Sequence, residues 1–214
     1  YTPFIPAGEE NAKTPAWLND PIYYHNRGET TYDGESGTYG DFAGLDDLFT
    51  EHPRVVDGFI DIFKAWITEY RIDGFRVDTA KHVNSEFWQR FVPAVTEHAR
   101  AQGIPHFHVF GESYYFDPAQ LARFTHEDRM TSILDFAFAD RALQALGQGK
   151  GTRVLAELYQ VDAVYAGGRD AARQLPTFLG NHDMGRFAYR LRSAMPDVSA
   201  DELARRVRVG HALM

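Results

Sequence analysis

From residue 74 onward the chain repeats one pattern four times: a short apolar run closed by polar residues, followed by a stretch with helical periodicity. The runs are Gly74 to Val77, Phe107 to Phe110, Ile133 to Phe138 and Leu175 to Leu179. The helical stretches cover about Ser85 to Gln102, Pro118 to Phe124, Ala139 to Leu146 with another after Lys150, and Ala200 to Met214. Strands separated by helices lie parallel, because a helix is long enough to carry the chain back to the starting edge of the sheet. Parallel sheets place their reactive groups at the carboxyl ends of the strands. At those ends stand Asp78, Glu112, Asp135 and Asn181-His182-Asp183. Four such units make half of an eight-stranded barrel, whose earlier strands and last strand are expected outside this sequence.

Residues 1–50 read differently. They are rich in Gly, Pro, Asn, Asp and aromatics without a sustained period of 2 or 3.6, which predicts an irregular, turn-rich excursion. Residues 51–214 form the second division. It opens with an amphipathic helix behind Pro53, on which Val55, Val56, Phe59, Ile60, Phe63, Ile67 and Tyr70 recur at helical spacing.

The 214 residues are 44% apolar and 14% aromatic, enough for a substantial core. A net charge of -8 argues against nucleic acid as the partner and favours a neutral one. No run approaches the roughly 20 apolar residues needed to span a bilayer. The absence of cysteine rules out disulfides and thiolate metal sites. No secretory signal is recognisable at the start, and the first residues read as the middle of a loop. Oligomeric state and compartment stay open, a secreted or periplasmic location being compatible with these residues.

Three segments carry the chemistry. In Gly74-Phe75-Arg76-Val77-Asp78 the strand period of 2 turns Arg76 and Asp78 to one side, and a guanidinium beside a carboxylate favours its ionised form, which suits a nucleophile. A structural ion pair is the plainer alternative. In Phe107-His108-Val109-Phe110-Gly111-Glu112 an apolar strand delivers Glu112 to the same end of the sheet, where an apolar wall would hold it protonated for acid catalysis. A helix cap or solvated loop residue is the alternative. In Gly180-Asn181-His182-Asp183 three polar side chains follow a buried strand, and sugar hydroxyls would satisfy them; a polar turn capping a helix is the other reading. Two carboxylates on neighbouring strands are the arrangement of glycoside cleavage. Strands about 4.8 Å apart allow a separation of about 5–5.5 Å, which predicts retention through a covalent intermediate. Trp66 and Trp88 are expected to pack within helices, while Tyr114 and Tyr115 are candidates to line a cleft.

Taken in order, Gly74 to His82, Gly111-Glu112 and Asn181-His182-Asp183 resemble the nucleophile, acid/base and third-carboxylate motifs of the alpha-amylase family of glycoside hydrolases, family 13. Leu45-Asp46-Asp47-Leu48 resembles the motif closing that family's domain B, with Asp in place of the usual Pro. The resemblance implies an incomplete (β/α)8 TIM barrel, strands 4–7 with flanking helices, plus part of domain B. It implies that Asp78 attacks the anomeric carbon, Glu112 protonates the leaving oxygen and Asp183 binds the distorted sugar. Arg76, Lys81, His82, His182 and Asn181 are then substrate-binding, and Asp47 with the backbone carbonyl of His82 would hold a structural calcium, whose preference is for oxygen ligands. The family's first motif, eighth strand and carboxyl-terminal domain have no counterpart here, so the isolated chain is expected to be inactive.

The expected function is cleavage of alpha-1,4-glucosidic bonds in starch or maltooligosaccharides. Alternatives are a transglycosylase or isomerase of the same family, which differ in how water competes for the glycosyl-enzyme, and a non-catalytic carbohydrate-binding relative, which should lack one of the three carboxylates. A metal-dependent hydrolase would need clustered ligands at strand ends, and only His182-Asp183 offers that pattern.

Overall fold

The computed structural model describes residues 2–214. Two compact units are present: one comprises the residues up to Gly74 with Thr79–His108, the other Phe75–Asp78 with Val109–Met214.

In the first unit the amino-terminal stretch is irregular, as its composition predicts. Among the described residues it holds two 3-10 turns (Ala16–Asn19 and Pro21–Tyr23), one short α-helix, α1 (Ser36–Tyr39), and isolated bridges at Tyr24↔Leu48, Glu29↔Asp41 and Phe42↔Leu45. Reciprocal bonds, His25 N–H to Asp47 O at 2.9 Å and Phe49 N–H to Tyr23 O at 2.8 Å, clasp its two halves. Helix α2 (Pro53–Tyr70) begins where expected, with Pro53 at its first turn and the His52 ring accepting the Arg54 N–H. It ends at Arg71, whose φ of +50° cannot continue a right-handed helix. Its apolar face (Val55, Val56, Ile60, Ile67) packs on α3 (Ser85–Ala101), where Phe87, Phe91 and Val95 are buried. The Phe63 and Phe91 rings meet edge to face at 5.3 Å. Gly58 admits the Trp17 ring: a Cβ there would lie 2.3 Å from Trp17 Cζ2. Trp88 is core, its indole N–H donating to the Ala80 carbonyl at 3.2 Å. Trp66 departs from the packing expectation: it is 49% exposed and lies against Tyr70, because it falls on the outer face of α2.

In the second unit the strands β1 (Gly74–Val77, from Phe75), β2 (His108–Gly111, from Val109) and β3 (Ser132–Ile133) stand in the order β1-β2-β3. Register is parallel, with Phe110 opposite Ser132 and Gly111 opposite Ile133. Helix α4 (Pro118–His126) starts at Asp117, whose side chain accepts the Ala119 N–H. The apolar run expected to continue as strand to Phe138 stops at Ile133. Asp135 accepts the Phe138 N–H and so caps a helix, α5 (Phe136–Leu146), that draws Phe136 and Phe138 into its first turn. Leu175 to Leu179 likewise forms no ladder; one parallel bridge, Asp135↔Thr177, sets it beside β3. The remaining helices are α6 (Arg153–Gln160), α7 (Gly168–Ala172), α8 (Phe187–Ala194) and α9 (Ala200–Leu213). The last is opened by Ser199, which accepts the Glu202 N–H. The core of this unit includes Val109, Leu121, Ile133, Phe136, Phe138, Ala142 and Leu191.

Candidate active site

One row of backbone hydrogen bonds orders the chemistry of the second unit. The Glu112 N–H donates to Val77 O at 2.7 Å, Leu134 N–H to Gly111 O at 2.9 Å, and Asp135 N–H to Pro176 O at 3.2 Å. The residues after β1, β2 and β3 thus stand side by side at one end of the sheet, and the row extends to the segment leading to Asp183.

Asp78 follows β1 immediately, and Thr79, at φ +48°, then turns the chain away. Its carboxylate is 66% exposed and accepts from Arg76 Nη1 at 2.6 Å, the pairing that strand alternation predicts. Glu112 is 8% exposed. An aromatic cluster encloses the segment behind it: Tyr114 lies 4.8 Å from Phe136, Phe136 lies 5.0 Å from Phe178, and Tyr114 lies 5.2 Å from Phe116. Tyr114 keeps an exposed edge within that cluster.

Asn181, His182 and Asp183 form a tight turn. His182 Nε2 lies 3.4 Å from Asp183 Oδ2, and both side chains face solvent. Asn181 Oδ1 accepts the N–H groups of Asp183 at 3.1 Å and Met184 at 2.8 Å. Asp183 does not cap the following helix, whose N-cap position is Arg186. Two contributors were not read from the sequence. A Cβ on Gly180 would sit 2.3 Å from Gly185 O, so only glycine lets the turn close. Arg190 reaches back from α8 to donate to Leu179 O at 3.3 Å, and burial draws its guanidinium below its ordinary pKa.

Asp135 was read as one of the polar strand ends. It is 7% exposed, serves as a helix cap and lines a cavity of about 360 Å³ with Pro118, Phe138, Asp162 and Tyr165. Burial pushes its carboxyl up to about 6, the bond from Phe138 N–H opposing the shift.

Lys81, His82 and Asp47 belong to the first unit. Lys81 and His82 lie on a single 3-10 turn, Ala80–His82. The His82 ring Nδ1 is 2.6 Å from the Gly37 carbonyl, and burial lowers its pKa. Asp47 Oδ2 lies 2.6 Å from Nδ1 of His25, whose Nε2 is 2.8 Å from Glu51. Burial alone would disfavour the His25 imidazolium, but the hydrogen bonds to Asp47 and Glu51 outweigh it and raise the pKa. Burial likewise raises that of Asp47, against the pull of His25. This bears on the calcium expectation. Asp47 already spends an oxygen on His25, and among the described residues no group of three or more His, Cys, Asp or Glu is arranged to hold a metal ion. No chemical step is routed through a calcium ion.

The comparisons agree with the family resemblance. A family model described as the alpha amylase catalytic domain matches residues 4–208. An alpha-amylase of Streptomyces lividans is 44% identical over 213 residues, all of this chain and 23% of its own length. The chain therefore spans about a quarter of that relative. The structure of an alpha-amylase from Geobacillus thermoleovorans complexed with acarbose superposes with a TM-score of 0.71 at 30% identity, covering 83% of this chain and 39% of that one. An Anoxybacillus alpha-amylase structure gives 0.75 at 28% identity, covering 91% and 41%.

Proposed function

This chain belongs to the alpha-amylase family of glycoside hydrolases, and on that premise we propose that it carries the cleaving carboxylates of a retaining enzyme acting on alpha-1,4-glucans such as starch or maltooligosaccharides. The observation that carries the reading is the Glu112–Val77 backbone bond, which sets a buried carboxyl beside the strand end bearing the exposed, Arg76-paired Asp78. A nucleophile needs to be open and anionic; an acid needs a surrounding that disfavours its charge.

In this reading Asp78 attacks the anomeric carbon while Glu112 protonates the departing glycosidic oxygen, leaving a glycosyl ester on Asp78. Water, deprotonated by Glu112, then opens the ester and restores both groups. Arg76 orients Asp78 and balances its charge. Asp183 and His182 bind hydroxyls of the distorted ring, so that their hydrogen bonds strengthen as positive charge develops on the sugar. Lys81 and His82 are assigned to the glucose on the leaving side by the family resemblance.

Proton NMR of the first product formed by the protein that carries this chain tests the reading. The alpha anomer is expected before mutarotation. The beta anomer would mean inversion and would remove Asp78 as nucleophile; longer oligosaccharides in place of free sugar would turn the reading towards transfer.

A further inference from the structure

We propose that Asn181 is a positioning residue for Asp183 and not itself a sugar ligand; this rests on the reading of Asp183 as a sugar-binding carboxylate. Three successive amides of one turn end on Asn181. Its carbonyl accepts Gly185 N–H at 2.9 Å, and its side-chain oxygen accepts Asp183 N–H at 3.1 Å and Met184 N–H at 2.8 Å. Short amide side chains fold back on their own backbone in this way, substituting for a backbone turn. The other side-chain atom, Nδ2, is buried and has no hydrogen-bond partner among the described residues. That atom is closed to an incoming hydroxyl in this structure.

His182 and Asp183, by contrast, face solvent on the same turn. One residue thus spends its acceptors inside while its two neighbours are presented outside. Gly180 against Gly185 O closes the turn from behind, so the direction of the Asp183 side chain depends on those amides staying where Asn181 holds them. An error of about 1 Å in a transition-state contact costs on the order of 10²-fold in rate.

The test is steady-state kinetics on a maltooligosaccharide with the full protein that carries this chain. Asn181→Ala is expected to lower kcat about 10- to 100-fold with KM little changed, because a contact made only in the transition state is lost. Asn181→Ser, whose hydroxyl accepts the same amides more weakly, is expected to recover a large part of the loss. A raised KM with kcat held would mean direct sugar binding and would overturn the proposal, as would Ser doing no better than Ala or Ala matching the parent. Should Asn181→Ala not fold, Asn181→Ser decides by the same split: kcat lowered with KM held supports, KM raised alone overturns. Asp183→Asn runs in parallel. An active Asp183→Asn variant would bring down the reading of Asp183 itself, whereas an inactive one beside a fully active Asn181→Ala would bring down only this inference.

Discussion

The Glu112 amide donates to the carbonyl of Val77 at 2.7 Å, so the residue that follows Val77, Asp78, and Glu112 are held on adjacent strand ends by the backbone itself. Their relation is independent of any side-chain rotamer. Arg76, two residues before Asp78, adds the charge partner that strand alternation puts within reach.

Replacing the acid separates the two chemical steps. In the protein that carries this chain, Glu112→Gln should slow hydrolysis of maltooligosaccharides by several orders of magnitude, yet largely spare the first step on glycosyl fluorides or aryl glycosides, whose leaving groups need no proton. Burst kinetics would show this as accumulation of the ester. Equal losses on both substrate classes would count against Glu112 as the acid.

Closure of the Asp183 turn depends on a missing side chain. Gly180→Ala puts a Cβ 2.3 Å from Gly185 O, which forces the backbone apart. The expected cost is about 1–3 kcal/mol of stability together with a marked loss of activity. Thermal melts and assays of the variant check both; parent-like values in each would show that the turn tolerates the shift.

Asp135 should leave a pH signature in stability. Its carboxyl is held up to about 6 by burial, so between about pH 4 and 6 the native state keeps a proton that the unfolded chain has released. Stability attributable to this group falls as pH rises through that window and is flat above it. Asp135→Asn removes the buried charge and keeps an oxygen for the Phe138 N–H. It should match the parent near pH 4 and exceed it by about 3 kcal/mol at pH 7. Melts from pH 4 to 7 would show the gap opening; a gap independent of pH would contradict the assignment.

His25 ties Asp47 to Glu51 in the first unit, and its own side chain is almost wholly enclosed. His25→Ala leaves the two carboxylates facing each other without their shared donor, at an expected cost of about 1–3 kcal/mol. Denaturant unfolding measures it, and an unchanged midpoint would show the bridge to be incidental.

Much of this was legible in the sequence where local signals agreed. Helix α2 carries Pro53 at its start and a strict apolar face, and α4 carries Asp117-Pro118, so both lie where periodicity puts them. Ile133 to Phe138 misled because an apolar run has no period of its own; the deciding event was Asp135 capturing the Phe138 N–H, which turns the run into a helix. Helix α8 went unread because its N-cap position, Arg186, makes no side-chain cap bond and only Phe187 and Leu191 are buried. In the site, the charged residues were visible at the ends of apolar runs. The His25 bridge was not, since its partners lie 22 and 26 residues away, and the inward use of Asn181 showed only once its turn had a geometry.

The most direct measurement is where the sugar attaches. A fluorinated glucosyl or maltosyl fluoride that forms the ester quickly and loses it slowly should label the protein that carries this chain at a single residue, located by peptide mass spectrometry. The label is expected on the peptide holding Asp78, and Asp78→Asn should abolish it while leaving the melting temperature near the parent value, because that carboxylate is largely exposed. A label on Glu112 or Asp183, or rapid turnover by Asp78→Asn, would contradict the assignment.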